Sequence, residues 1–171
     1  MIYMVEMALI AKDRRVEWDA WYLGHMHKLI SIPGIRATQR FESLSESVSP
    51  FVALHQVDGP EVFATDAYRA KAGPGGTGEW QPLMNNWYRN VFDGIHATPD
   101  VTMEGALIVV EDGASAGLVP VTWMHSVGLD KSSERRAIGV AASLDDVRGL
   151  IGRKGVRVCK PLTPRLVEAH V

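Results

Sequence analysis

His25 is the residue in this chain whose neighbours best suit it to moving a proton. Trp18, Trp21, Tyr22, Met26, Leu29 and Ile30 recur at the i, i+3, i+4, i+7, i+8 spacing of a helical stripe, and His25 falls on it, four residues after Trp21 and four before Leu29. An imidazole turned toward an apolar interior is disfavoured in its charged form. It therefore stays neutral near physiological pH and can serve as general base or acid toward any substrate that reaches it. The plainer alternative is a core histidine bonded to a backbone carbonyl. His55 runs in phase with Phe51, Ala53 and Val57, either as a second pocket group or as a satisfied strand histidine. Glu6 is in phase with Met4 and Ala8 in mid-strand, where a carboxylate between apolar neighbours needs either a partner or a function. Arg36 or Arg40 on the adjacent hairpin is the expected partner. His125, after Trp123-Met124, has weaker support.

Other chemistries find little to work with. His25 and His27 are two apart on a helix and diverge, and no His-x-x-x-His ladder follows, so no metal and no cofactor is expected. The single cysteine, Cys159, cannot form an intrachain disulfide and reads as an inert buried thiol in a strand. No nucleophile-elbow sequence supports a Ser-His-Asp triad. Ala72–Gly78, AGPGGTG, lacks the Gly-Lys-Ser/Thr ending of a phosphate cradle and reads as a mobile loop or lid. A net charge of −2 from 18 basic and 20 acidic residues excludes broad attraction to nucleic acid or to a membrane surface. The first ten residues are too short to span a bilayer and lack a cleavage site, so a cytoplasmic location is expected.

The elements that must hold these side chains follow from periodicity. Residues 2–10 are apolar on both faces, as in a strand covered on two sides. The helix runs from about Val16 to Ser31 and stops at Pro33-Gly34. Ile35–Glu42 and Phe51–Val57 form a hairpin across a Ser-rich turn, and a second helix spans about Glu61–Ala70. Trp80, Leu83, Met84, Trp87 and Val91 predict a third helix over 79–91, and Val101–Val110 a strand that completes a β-α-β-β-α-β unit. Beyond residue 112, strands at 119–129, 136–142 and 156–162 and a short helix at 144–151 make a reduced β-β-α-β half. The expected fold class is α+β, with a ferredoxin-like unit over 1–111 and a degenerate second half over 112–171 packed on it.

Trp21-Tyr22-Leu23-Gly24-His25, the Ser31-Ile32-Pro33-Gly34-Ile35 turn, and Asp58-Gly59-Pro60-Glu61-Val62 followed by Ala67-Tyr68 resemble the EthD-type members of the dimeric α/β-barrel superfamily. The resemblance covers roughly residues 1–110. It departs at Gly24, where the family usually carries an acidic partner for the histidine. It implies an antiparallel sheet that closes into a barrel, usually by homodimerisation, with a pocket between sheet and helices. It also implies that the histidine at position 25 faces that pocket. Members by fold cyclise or dehydrate polyketides, isomerise lactones, oxygenate aromatics without a cofactor, or, with two repeats, bind haem.

The combined expectation is a homodimeric small-molecule lyase, cyclase or isomerase that moves a proton on an apolar aromatic or polyketide-like substrate. His25, Glu6 and His55 would be its catalytic groups, and Trp21, Tyr22, Tyr68, Trp80, Trp87 and Arg40 would bind the substrate. The rival expectation is a binding protein without turnover for an apolar metabolite or haem.

Overall fold

The unbroken apolar run at the start of the chain forms β1 (Ile2–Leu9), buried on both faces in a computed structural model that describes residues 1–72 and 76–168. Ile2 and Met4 point into one core and Tyr3, Val5 and Met7 into another, so each face of the strand contributes to a separate packed layer.

The helix α1 (Arg15–Ile30) follows as its stripe predicts, burying Trp18, Tyr22, Met26 and Leu29. Gly34 then turns the chain with φ of +92° under the next segment, where an added Cβ would lie 2.6 Å from Val62 Cγ2. The hairpin of β2 (Ile35–Ser43) and β3 (Phe51–Val57) pairs in register with β1, setting Tyr3 opposite His55 and Glu6 opposite Val52. The second helix is shorter than its pattern suggests: a 3-10 turn at Pro60–Ala64, then α2 (Asp66–Lys71), capped by Thr65 Oγ1 accepting from Tyr68 N–H.

The third helix expected over 79–91 is not formed. Gly78–Leu83 is a 3-10 turn containing Pro82, and β4 (Met84–Asp93) begins directly after it. Proline cannot continue the hydrogen-bond ladder of an α-helix. From Met84 onward the donors and acceptors are taken by β1, which pairs with β4 over nearly its full length. The strand expected at 101–110 is accordingly the fifth, β5 (Ala106–Glu111), and it opens the second half rather than completing the first.

The second half continues with β6 (Thr122–Leu129), β7 (Arg135–Ala141), β8 (Val156–Pro161) and the short β9 (Leu166–Val167). In space the first half runs β2-β3-β1-β4 and the second β6-β7-β5-β8, each strand antiparallel to its neighbour. β4 pairs with β6, and β8 pairs with β2 through Phe41–Ser43, so eight strands close into one barrel inside a single chain. The expectation that a second copy completes the barrel is thereby corrected. Among its described residues the second half lacks an α-helix but not strands, and strands are what closure needs.

Three cores result. The barrel interior joins both halves, with Met4, Phe41 and Phe92 against Leu107, Met124 and Ile138. A second lies between α1 and the outer face of the first half, and a third covers the outer face of the second half with loop residues and the 3-10 turn Asp145–Leu150. Cys159 is buried in β8, and burial pushes its thiol up to about 11. No helix among the described residues is long and apolar enough to cross a membrane.

Candidate functional site

Between α1 and the outer face of β1, β3 and β4 lies a hollow of about 410 Å³. Its aromatic wall follows from helical phase: residues 21, 22 and 25 project from adjacent turns of α1 toward the sheet. His25 stacks on Trp21 with ring centroids 5.2 Å apart and 14° between planes, and Tyr22 meets it edge-on at 5.8 Å. His25 Nδ1 is sealed from solvent and has no hydrogen-bond partner among the described residues. Burial, with a smaller contribution from the Lys28 charge, pulls the imidazole down to about 4, so it is neutral at physiological pH.

His55 reaches the same hollow from β3. It is fully buried, shares a 2.8 Å hydrogen bond through Nδ1 with Thr38 Oγ1, and lies with its ring 5.1 Å from that of Tyr3. Burial lowers it to about 3, and the neighbouring His25 adds to the fall. Two neutral imidazoles thus face one predominantly aromatic space. The Tyr3 phenol, also in the lining, is held well above its ordinary value by burial, with the Arg89 charge opposing that rise. Trp87 contributes an indole whose Nε1 is buried without a partner among the described residues.

Trp21, Tyr22, Tyr68 and Trp87 line the hollow together with His25 and His55. Trp80 does not. Its ring sits behind Trp21 at 5.9 Å, with the Arg14 guanidinium 4.4 Å above it, and so it backs the wall. Arg40 lies on the correct sheet face but is sealed beneath Trp18 and Tyr22, its Cζ 4.1 and 4.3 Å from their rings, and its Nη1 donates to Asp19 at 2.7 Å. It supports the aromatic floor and does not line the hollow. Part of the loop read as a lid, residues 73–75, lies outside the described residues. His125 is exposed on β6, away from the hollow.

Glu6 is on the opposite face of β1, inside the barrel, and takes no part in this space. Its partners are neither Arg36, which pairs with Asp58 and Glu168, nor Arg40. They are Arg136 of β7 and Arg157 of β8, one on each carboxylate oxygen, with Glu111 bridging both arginines. Arg157 Nη2 comes within 2.6 Å of Glu6 Oε1 without making a directed hydrogen bond, so that contact is ionic. Burial alone would raise the Glu6 carboxyl; Arg157 and Arg136 more than offset this and hold it below the ordinary carboxylate value. This network closes one mouth of the barrel beside a second hollow of about 420 Å³.

The sequence did not point to Arg89 and Asp130, which also line the first hollow. They are 41 residues apart and meet only because β4 pairs with β6. The alternation of Trp87, Arg89 and Val91 on one strand face was the available signal for Arg89, and the helical reading of that segment hid it.

No family model and no curated protein matches this sequence. Solved structures do. A candidate monooxygenase from Lactobacillus acidophilus NCFM superposes with a TM-score of 0.59 at 11% identity, over 99% of this chain and 97% of that one. A candidate monooxygenase from Fusobacterium nucleatum gives 0.60 at 9%, over 99% and 95%. An anthrone oxidase-like protein gives 0.56 at 7%, over 99% and 93%. This chain shares the fold of these proteins, here an eight-stranded antiparallel barrel with a helix packed on its first half. Identities this low establish fold and leave chemistry to the site.

For haem, the group the rival expectation would allow, the lining fits poorly. Haem brings two carboxylate tails, whereas the described lining offers a single guanidinium, Arg89, to receive them. No step below uses it.

Proposed function

We propose that the hollow binds a flat, largely apolar aromatic or polyketide-like molecule and that His25 takes a proton from its activated carbon. The observation that supports this most directly is the neutral imidazole of His25, its Nδ1 without a partner among the described residues, stacked on Trp21 at the wall of an aromatic space. His25 lines the hollow and its Nδ1 is sealed, so Nε2 is the nitrogen that would meet a substrate there. A base with so low a pKa is weak against bulk water. In the hollow its protonated form would sit beside the anion it has just created on the substrate, and that pairing favours the transfer. The Trp21, Tyr22 and Trp87 rings would hold a planar substrate edge-on or stacked, and His55, anchored to Thr38, would hydrogen-bond an oxygen of it.

The carbanion so formed can be reprotonated elsewhere, expel a leaving group or close a ring, which are the isomerase, lyase and cyclase outcomes. Addition of O2 to the carbanion is the second reading, favoured by fold neighbours described as monooxygenases and as anthrone oxidase-like. All these routes share the first step. The test is therefore deuterium exchange at the acidic ring carbon of anthrone in D2O, followed by NMR under nitrogen and then under air. Exchange accelerated by the protein and reduced by at least about 100-fold in His25→Ala supports the proposal. Exchange unchanged in that variant overturns it, and oxygen uptake in air selects the second reading.

A further inference from the structure

The turn between β6 and β7 comes from the second half of the chain, yet it is fastened over the mouth of the first half's hollow. Asp130 Oδ2 accepts from the backbone N–H of Arg89 at 2.8 Å, and Oδ1 accepts from Arg89 Nη2 at 3.3 Å. Next to this pair, the side chain of the fully buried Asn90 is tied to Ser132. Asn90 Oδ1 accepts from Ser132 N–H and Asn90 Nδ2 donates to Ser132 Oγ, both at 2.8 Å. The residues flanking Asp130 are both in the left-handed region without being glycine: Leu129 at φ +61° and Lys131 at φ +47°. Such conformations are unfavourable for side chains of this kind, and they persist where surrounding contacts over-determine them, commonly at ligand sites. Here the strained turn presents one carboxylate, and that carboxylate fixes one guanidinium.

The guanidinium has donors to spare. A guanidinium carries five N–H groups; among the described residues the Arg89 side chain makes one hydrogen bond, to Asp130, and leaves Nε and Nη1 without a partner. The side chain is about two-fifths exposed, so a ligand can reach it. Its charge acts on the Tyr3 phenol across the hollow, and both it and Asp130 belong to the lining. No other described lining residue carries a permanent charge: the rest are aromatic, aliphatic, thioether, imidazole, hydroxyl or amide.

We infer that Arg89, held by Asp130, selects substrates bearing a carboxylate or ionised phenol at the edge of the flat apolar body. The free edge of the guanidinium would take the acidic group at the mouth while the rings enter beneath α1. Asp130 is a positioning residue and Arg89 the residue that touches substrate. This deepens the proposed function, because it names the polar end of the molecule on which His25 would act.

The test is equilibrium binding, read by tryptophan fluorescence and calorimetry, of 2-naphthoate and of its uncharged counterpart 2-naphthamide to the full chain. Wild type is expected to prefer the naphthoate by about tenfold at low salt, with the preference shrinking as salt rises. Arg89→Gln is expected to abolish the preference while leaving naphthamide affinity within about twofold, and Arg89→Lys to restore part of it. His25→Ala should keep the preference intact. Equal binding of the two probes by wild type, or a naphthoate preference that survives Arg89→Gln, overturns the inference. Loss of anthrone exchange has no bearing on that readout, so failure of the proton-transfer reading is distinguishable from failure of this one.

Discussion

The two halves of the barrel share a strand order and differ in what covers them. The first half carries a four-turn helix whose large side chains stand off from the sheet, and a hollow remains between them. The second half has Ala106, Ala137, Gly139 and Ala141 on the equivalent outer face, and the loop 112–121 lies directly on it. An added Cβ at Gly139 would sit 2.5 Å from the Pro120 carbonyl oxygen. Bulky residues under a rigid helix leave space; small residues under a pliable loop remove it. The packing therefore leaves a hollow on the outer face of the first half and fills the equivalent face of the second.

That contrast can be broken at three points, in descending order of expected effect. The barrel interior is common to both halves and depends on Glu6, so Glu6→Gln, which leaves the buried Arg136 and Arg157 with the half-exposed Glu111 as their remaining carboxylate, should cost about 3 kcal/mol in urea denaturation. A loss below about 1 kcal/mol would mean that solvent at the barrel mouth compensates. Gly139→Val should destabilise by about 2–3 kcal/mol by prising the 112–121 loop from the sheet, while ligand binding by the surviving folded protein persists. Impaired binding in that variant would show that the halves are not independent.

The third point concerns acid. His25 and His55 have pKa values near 4 and 3 in the folded chain, below the ordinary 6.5. As pH falls below about 6.5 the unfolded chain takes up protons that the folded chain refuses, so stability declines. Each histidine contributes about 2 kcal/mol of loss by pH 5. Glu6, held below its ordinary 4.5, adds its own loss only at still lower pH, as the unfolded chain begins to protonate there first. His55→Gln, which can keep a hydrogen bond to Thr38, should flatten roughly half of the slope between pH 6.5 and 5. An unchanged slope would place the acid sensitivity elsewhere.

Much of the first half was legible because its signals are local. The α1 stripe, the Pro33-Gly34 stop and the β2–β3 hairpin are each decided within a few residues, and they are enough to bring His25, Trp21 and Tyr22 to one wall. Register was not legible. Glu6 and His55 are both strand residues among apolar neighbours, yet the pairing of β1 with β3 sends their side chains to opposite faces, which no single strand reveals. β4 was misread because Trp80, Leu83, Met84, Trp87 and Val91 happen to fit a helical period, although Pro82 in their midst argued against it. With β4 read as a helix the barrel strands came to seven, one short of the eight that close it, and both the closed barrel and the meeting of Arg89 with Asp130 became invisible. Arg40 was read both as a partner for Glu6 and as a substrate-binding residue; its burial under Trp18 and Tyr22, on the face away from Glu6, depends on how the helix seats, which is a tertiary fact.

Closure within one chain has a consequence for how such a molecule can change. A ring assembled from two identical subunits repeats every substitution on both sides, so a filled flank and an open one cannot coexist in it. Here the halves are encoded separately, and Gly139 can close one flank while His25 and its neighbours keep the other open. Asymmetry of this kind is open to a covalently joined ring and closed to one built from identical subunits, and it allows one half to lend a turn to the other's chamber without keeping a chamber of its own.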